Sequence, residues 1–103
     1  MKIQIIESAK IDLIDSYSFY EEQSHELGQY FLDCLFSDID SLMLYGGIHP
    51  LQHDIFYCML AQRFPYAIYY RIENQTVTVF AVLDCRQDPE NIKDRLSWEK
   101  GLK

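Results

Sequence analysis

A chain of 103 residues is one domain of modest size, and 49% hydrophobic with 15% aromatic content is enough to build a core, which argues against a disordered chain. The net charge of −7 is unevenly placed: residues 1–50 carry two Lys against nine Asp and Glu, whereas in residues 51–103 seven Lys and Arg balance seven acids. That distribution excludes a general attraction for nucleic acid, because phosphate contacts need Lys and Arg; a polyanion has to meet a local basic patch in the second half, and a basic protein partner suits the first.

In chain order, residues 2–6 read as a short strand with Ile3 and Ile5 on one face. Ser8 is expected to cap a helix over 9–24, in which Leu13, Tyr17 and Tyr20 recur at helical spacing and Asp12, Asp15, Glu21 and Glu22 fall mostly elsewhere. Residues 25–28 break that helix, with Gly28 expected in the left-handed conformation of a helix end. A second helix runs to about residue 45, where Gly46-Gly47 stops it. Its apolar face holds Leu27, Phe31, Cys34, Leu35, Ile39, Leu42 and Met43. The short break predicts an antiparallel helical hairpin.

From there the period changes. Residues 56–63 read as a strand, interrupted by Pro65. Over 66–73, Tyr66, Ile68, Tyr70 and Ile72 alternate against Ala67, Tyr69 and Arg71. Asn74-Gln75 sits where a hairpin turn belongs. Over 76–83, Val77, Val79, Ala81 and Leu83 oppose Thr78, Phe80 and Val82. Residues 89–98 form a short helix with Pro at its first turn. The order β-α-α-β-β-β, with a closing helix, predicts an α+β domain over 1–103: a helical hairpin packed on one face of a mainly antiparallel sheet, the other face left free for binding.

No apolar run approaches the ~20 residues of a membrane span. The start, MKIQIIESAK, lacks the apolar region and cleavage site of an export signal, so a cytoplasmic location is expected. Cys34, Cys58 and Cys85 are odd in number and read as reduced, packed thiols. His49 and His53 resemble half a zinc site, but no further ligands stand at a suitable spacing, and neither a metal nor any other cofactor is expected. Gly-rich phosphate loops and Ser/His/Asp motifs are absent.

The segment AKIDLIDSYSFYEEQSHELGQYF, through Ala9, Asp12, Leu13, Tyr20, Glu21, Gln23, Leu27, Gly28 and Phe31, resembles the first-helix pattern of ParE-type toxins. RFPYAIYYRI resembles the turn into the third strand of the RelE/ParE toxin superfamily, and VFAVLDCRQDPE its last strand and following loop. The resemblance covers roughly residues 3–96. It implies a type II toxin, of the kind linked to plasmid stabilisation, whose cognate antitoxin wraps it with an apolar tail; Leu13, Tyr17, Phe31, Tyr69 and Phe80 are the expected antitoxin contacts. It also implies one of two activities: messenger RNA cleavage on the ribosome by RelE-like members, or inhibition of DNA gyrase by ParE-like members.

RNA cleavage needs groups that move protons and neutralise phosphate. Where RelE-like nucleases carry Lys or Arg, this sequence has Cys58, Leu60 and Ala67. Arg63, Tyr66 and Arg86 are the remaining catalytic candidates, and Arg86 matches a family arginine. The strands carrying them would equally place Arg63 and Arg86 as solvent-facing ends, Arg86 paired with Asp84 or Asp88. The expectation is a ParE-like binding toxin that contacts its target through Arg63, Arg86 and Arg95. An RNA-cleaving toxin and an inactive family member are the alternatives.

Overall fold

The computed structural model describes residues 1–101. They form strand β1 (Lys2–Ile5), helices α1 (Glu7–Gln23) and α2 (Leu27–Asp40), the one-turn α3 (Leu42–Tyr45), strands β2 (Leu51–Gln52), β3 (Phe56–Leu60), β4 (Tyr66–Glu73) and β5 (Thr76–Asp84), and helix α4 (Pro89–Lys100). The α+β order is the expected one, with α3 and β2 added. The sheet order is β1-β5-β4-β3-β2. β1 joins β5 in parallel, and all other pairs are antiparallel. Asn74 and Gln75, at φ 51° and 61°, make the two-residue turn between β4 and β5, whose left-handed pair matches the twist of the flanking strands.

Both sheet faces are covered. On one, Leu13 of α1 and Phe31, Leu35 and Ile39 of α2 pack on Ile68, Tyr70, Val77 and Val79. On the other, Leu96 of α4 lies over Phe56, Cys58, Ala67, Tyr69, Ala81 and Leu83. The face expected to be free is therefore occupied in part by α4. Asp88 caps this helix, its carboxylate accepting from Glu90 N–H at 2.9 Å, and Pro89 stands in its first turn.

A β-bulge changes which side chains reach each face. Tyr69 pairs with Ala81 but Tyr70 with Val79, leaving Phe80 as the extra residue on β5. Past it the alternation inverts: Val77, Val79 and Val82 face the hairpin, and Phe80, Ala81 and Leu83 face α4. The expected split of β5 holds up to Val79 and fails beyond.

Four local expectations also change. Ser8 caps nothing; it lies inside α1 and its hydroxyl donates to Glu99 Oε2 at 2.9 Å. The left-handed residue before α2 is Glu26, at φ 68°, not Gly28. Met43 is exposed, while Leu42 beside it is buried. β3 stops at Leu60, three residues short of the expected end.

Gly28 serves close helix packing. A Cβ there would lie 2.6 Å from Tyr17 O and 2.9 Å from Glu21 Cβ on α1. The closeness lets one α1 carboxylate close the start of α2: Glu21 Oε2 accepts from Glu26 N–H at 3.0 Å and Oε1 from Gly28 N–H at 2.9 Å. These donors hold the Glu21 carboxyl below its ordinary value, the Glu26 N–H foremost. Gly28→Ala is expected to force the hairpin apart and lower stability by about 1–3 kcal/mol, as overpacking does; urea unfolding followed by circular dichroism checks this.

Candidate functional site

The end of β5, α1 and the start of α4 enclose a hollow of 290 Å³ lined by Asp12, Asp15, Ser16, Tyr66, Asp84 and Arg95, among others. Three of these side chains are carboxylates. Arg86 stands beside it. Asp84 grips the Arg86 guanidinium at both ends, Nε donating to Oδ1 at 3.0 Å and Nη2 to Oδ2 at 2.7 Å. The backbone N–H of Arg86 also donates to Oδ1 at 2.8 Å. Arg86 Nη2 reaches the Tyr20 hydroxyl at 3.3 Å, and Tyr20 stacks on Phe31 in the core. The pairing lowers the Asp84 pKa and raises that of Arg86. The expected Asp84–Arg86 pair is present, and it aims the guanidinium outward from a rigid base.

Tyr66 is buried, and its hydroxyl donates to Ser16 Oγ at 3.0 Å. Burial pushes its pKa up to about 12, which leaves it a poor proton acceptor near neutrality. Arg63 is exposed and lines a different hollow, of 360 Å³, with Tyr30, Asp33, Ser37, Asp38 and Gln62. The catalytic candidates are thus not assembled around one point where a phosphate could sit.

Arg95 is committed inside the molecule. Its Nη1 and Nη2 donate to the two oxygens of Asp12, each at 2.8 Å; its Nε donates to Glu99, and Nη2 also to Phe80 O at 3.2 Å. Burial raises the pKa of Asp12 despite this partner. Glu99 is fully buried, and its Oε1 has no partner among the described residues. Arg95→Ala would leave two carboxylates in the interior with no counter-charge. The expected loss is about 3–5 kcal/mol, the cost of breaking a buried pair from one side, read as a drop in thermal midpoint with the far-ultraviolet helix signal of α4 weakening first.

Two of the three positions named for their missing charge are buried. Cys58 and Ala67 lie beneath α4 among Phe56, Ala81 and Leu96, and burial raises the Cys58 and Tyr69 pKa values. Leu60 ends β3 at the surface. Of the five expected antitoxin contacts, Leu13, Phe31 and Tyr69 are core residues, spent on holding the fold; Tyr17 and Phe80 are half-buried.

The two histidines do not share a site. His49 Nδ1 meets the Tyr70 hydroxyl, which also accepts from Gly47 N–H at 3.0 Å, on the hairpin side. His53 packs edge-on against Tyr69, which faces α4. Burial lowers the His49 pKa. Since the folded state then binds the proton less readily than the unfolded chain, its contribution is present above about pH 6.5 and is lost as pH falls through that value towards the folded pKa. His49→Gln is expected to flatten the pH dependence of the urea midpoint below about pH 6.5.

No family model matches the sequence, and no curated protein matches it. Among solved structures, a chain of "Chromosomal ParDE TA system from P. aeruginosa" superposes with a TM-score of 0.72 at 15% identity, over 80% of this chain and 92% of that one. The chain therefore shares the α+β fold of that structure. No helix among the described residues is long and apolar enough to cross a membrane.

Proposed function

We propose that this protein is the toxin component of a type II toxin–antitoxin system, ParE-like, which acts in the cytoplasm by binding a target such as DNA gyrase and is neutralised by a cognate antitoxin. One observation carries the choice within the fold: of the three positions where an RNA-cleaving member carries cations, Cys58 and Ala67 are buried in an apolar layer under α4, and the exposed Leu60 is uncharged. Arg63 and Arg86 are the target contacts. Both are exposed, and Arg86 is braced by Asp84 and Tyr20. Arg95 serves the reading differently from the sequence expectation, by fixing α4 in place.

Induced expression is expected to arrest growth, co-expression of the protein encoded by the adjoining gene to restore it, and the purified chain to inhibit supercoiling by gyrase at micromolar concentration. Arg86→Ala is expected to weaken that inhibition about tenfold, the loss typical of a charged anchor at an interface, with an unchanged melting curve. Growth that continues on induction would show an inactive chain. Arrest accompanied by cut transcripts in primer extension, with gyrase unaffected, would replace the reading by RNA cleavage.

A further inference from the structure

Helix α4 covers only part of its sheet face, and past Phe80 the uncovered part turns polar. Ile3 and Ile5 of β1 and Val77 and Val79 of β5 pack against the helical hairpin. Strand alternation therefore turns Lys2, Gln4, Thr76 and Thr78 to the α4 side. Pairing sets these side chains in two rows across three strands: Gln4, Thr78 and Arg71 in one, and Lys2, Thr76 and Glu73 in the next. Neighbours in a row stand about 4.8 Å apart, a spacing comparable with that of hydroxyls across a six-membered ring.

Over these rows lies a cleft of 580 Å³, lined by Gln4, Ser8, Thr76, Thr78, Phe80 and Trp98 among others. Small-molecule sites have volumes of about 300–1,000 Å³ and combine apolar walls with a few placed polar groups. Both walls are aromatic and held from behind. Phe80 is half-buried, edge-on to Phe56 at 5.5 Å, with the Arg71 guanidinium 6.0 Å from its ring centre. Trp98 is 61% exposed, unusual for a residue that proteins mostly cover. Its neighbour Glu99 is fully buried and accepts from the Ser8 hydroxyl, so a bond between α1 and α4 fixes this wall. The charges near the cleft offset each other: Glu7 and Glu73 line it, Arg71 pairs with Glu73, and Lys2 stands in the next hollow with Thr76. Such a rim has no sign to select an ion. The hydroxyls of Thr76 and Thr78 and the amide of Gln4 each donate and accept. A ligand that suits them carries groups that do the same, together with an apolar face for the indole.

We propose that this cleft binds a neutral polyhydroxylated ring, a saccharide or the ribose of a nucleoside, with its apolar face on Trp98 and its hydroxyl edge on Gln4, Thr76 and Thr78. The site is separate from Arg63 and Arg86 and does not depend on the toxin reading. Paired strands hold its polar groups at fixed spacing, which is what recognition of a ring of hydroxyls requires.

Trp98 is the sole tryptophan of the chain, so its emission reports on this cleft alone. The probes are maltose and N-acetylglucosamine, followed by Trp98 emission, and adenosine, 2′-deoxyadenosine and spermidine, followed by saturation-transfer NMR. The full chain is compared with Gln4→Ala, Thr78→Val and, as a control on β3, the exposed Leu60→Ser; melting curves confirm that each variant is folded. At least one saccharide, or adenosine, is expected to bind saturably with a millimolar or tighter Kd. Gln4→Ala and Thr78→Val are expected to weaken that binding about threefold to tenfold, the loss of one hydrogen bond each, and Leu60→Ser to leave it unchanged. Adenosine that binds more tightly than 2′-deoxyadenosine supports the ribose as ligand, and saccharides that bind without adenosine support a sugar. No binding by any saccharide or by adenosine up to ~50 mM overturns the proposal. So does binding that both variants retain in full, equal binding of adenosine and 2′-deoxyadenosine without any saccharide, or binding of spermidine alone, which makes the cleft a cation site.

Discussion

The rest of the structure depends on how β5 is completed where β1 ends. β1 pairs with β5 only as far as Ile5 opposite Val79, after which Ile6 N–H closes on Val79 O and the chain turns into α1. The next edge groups of β5, Phe80 O and Val82 N–H, are left without a strand. A buried peptide group with no partner is costly, and here two side chains replace the missing strand. Asp12 Oδ2 accepts from Val82 N–H at 3.0 Å, and Arg95 Nη2 donates to Phe80 O. The two side chains then bind each other, and Arg95 passes on to Glu99, which Ser8 also holds. One network thus ties α1, β5 and α4 together. It brings opposed charges into a poor solvent at a desolvation cost that the geometry must offset, and the bidentate contact with its added backbone bonds is the arrangement that does so.

The bulge at Phe80 belongs to the same solution. By inverting the alternation of β5 it turns Phe80, Ala81 and Leu83 towards α4 and gives that helix an apolar floor. Leu96 is fully buried on that floor, worth about 1.5–3 kcal/mol by area. The ion network alone would orient α4 without adding much net stability, and the apolar floor alone would not fix its angle. Together they cover the part of the sheet face that holds Cys58 and Ala67. The absence of Lys or Arg at Cys58 and Ala67 is therefore part of a packed layer with a structural purpose, and a single cation placed there would be buried beside Leu96 with no acid to meet it.

Much of this was legible in the sequence because periodicity reports burial directly. The element order, the β4 alternation of Tyr66, Ile68 and Tyr70, the Asn74-Gln75 turn and the Pro89 helix start all follow from local rules, and the fold is as expected. What failed depended on contacts distant in the chain. The β5 assignment broke because a bulge at Phe80 leaves no mark in the residue types on either side. Ser8 and Gly28 were assigned the local roles their types favour, capping and chain reversal, whereas each answers to another helix, Ser8 to Glu99 and Gly28 to Tyr17. Asp12 and Arg95 read as surface charge because nothing in sequence links positions so far apart. Leu13, Phe31 and Tyr69, expected as antitoxin contacts, are buried in the core, a placement that a single sequence does not reveal.

Seen from the surface, the molecule divides its two kinds of stickiness. Its cations all lie at the start and in the second half of the chain. Among the latter, Arg95 and Lys100 are engaged by Asp12, Glu99 and Asp54, and Arg86 is held by Asp84 in an exposed position. The helical hairpin carries the exposed acids Asp15, Glu22, Asp33 and Asp40 together with the exposed apolar Ile14, Phe19 and Phe36. An apolar patch alone would invite aggregation of like molecules. The same patch set in a field of one sign resists its own copies while remaining open to a partner of the opposite sign, because charge repulsion acts at longer range than apolar contact. Several acids of the first half serve the fold instead: Asp12 completes the edge of β5, Glu21 closes the start of α2, and Asp38 accepts from Gln62 N–H.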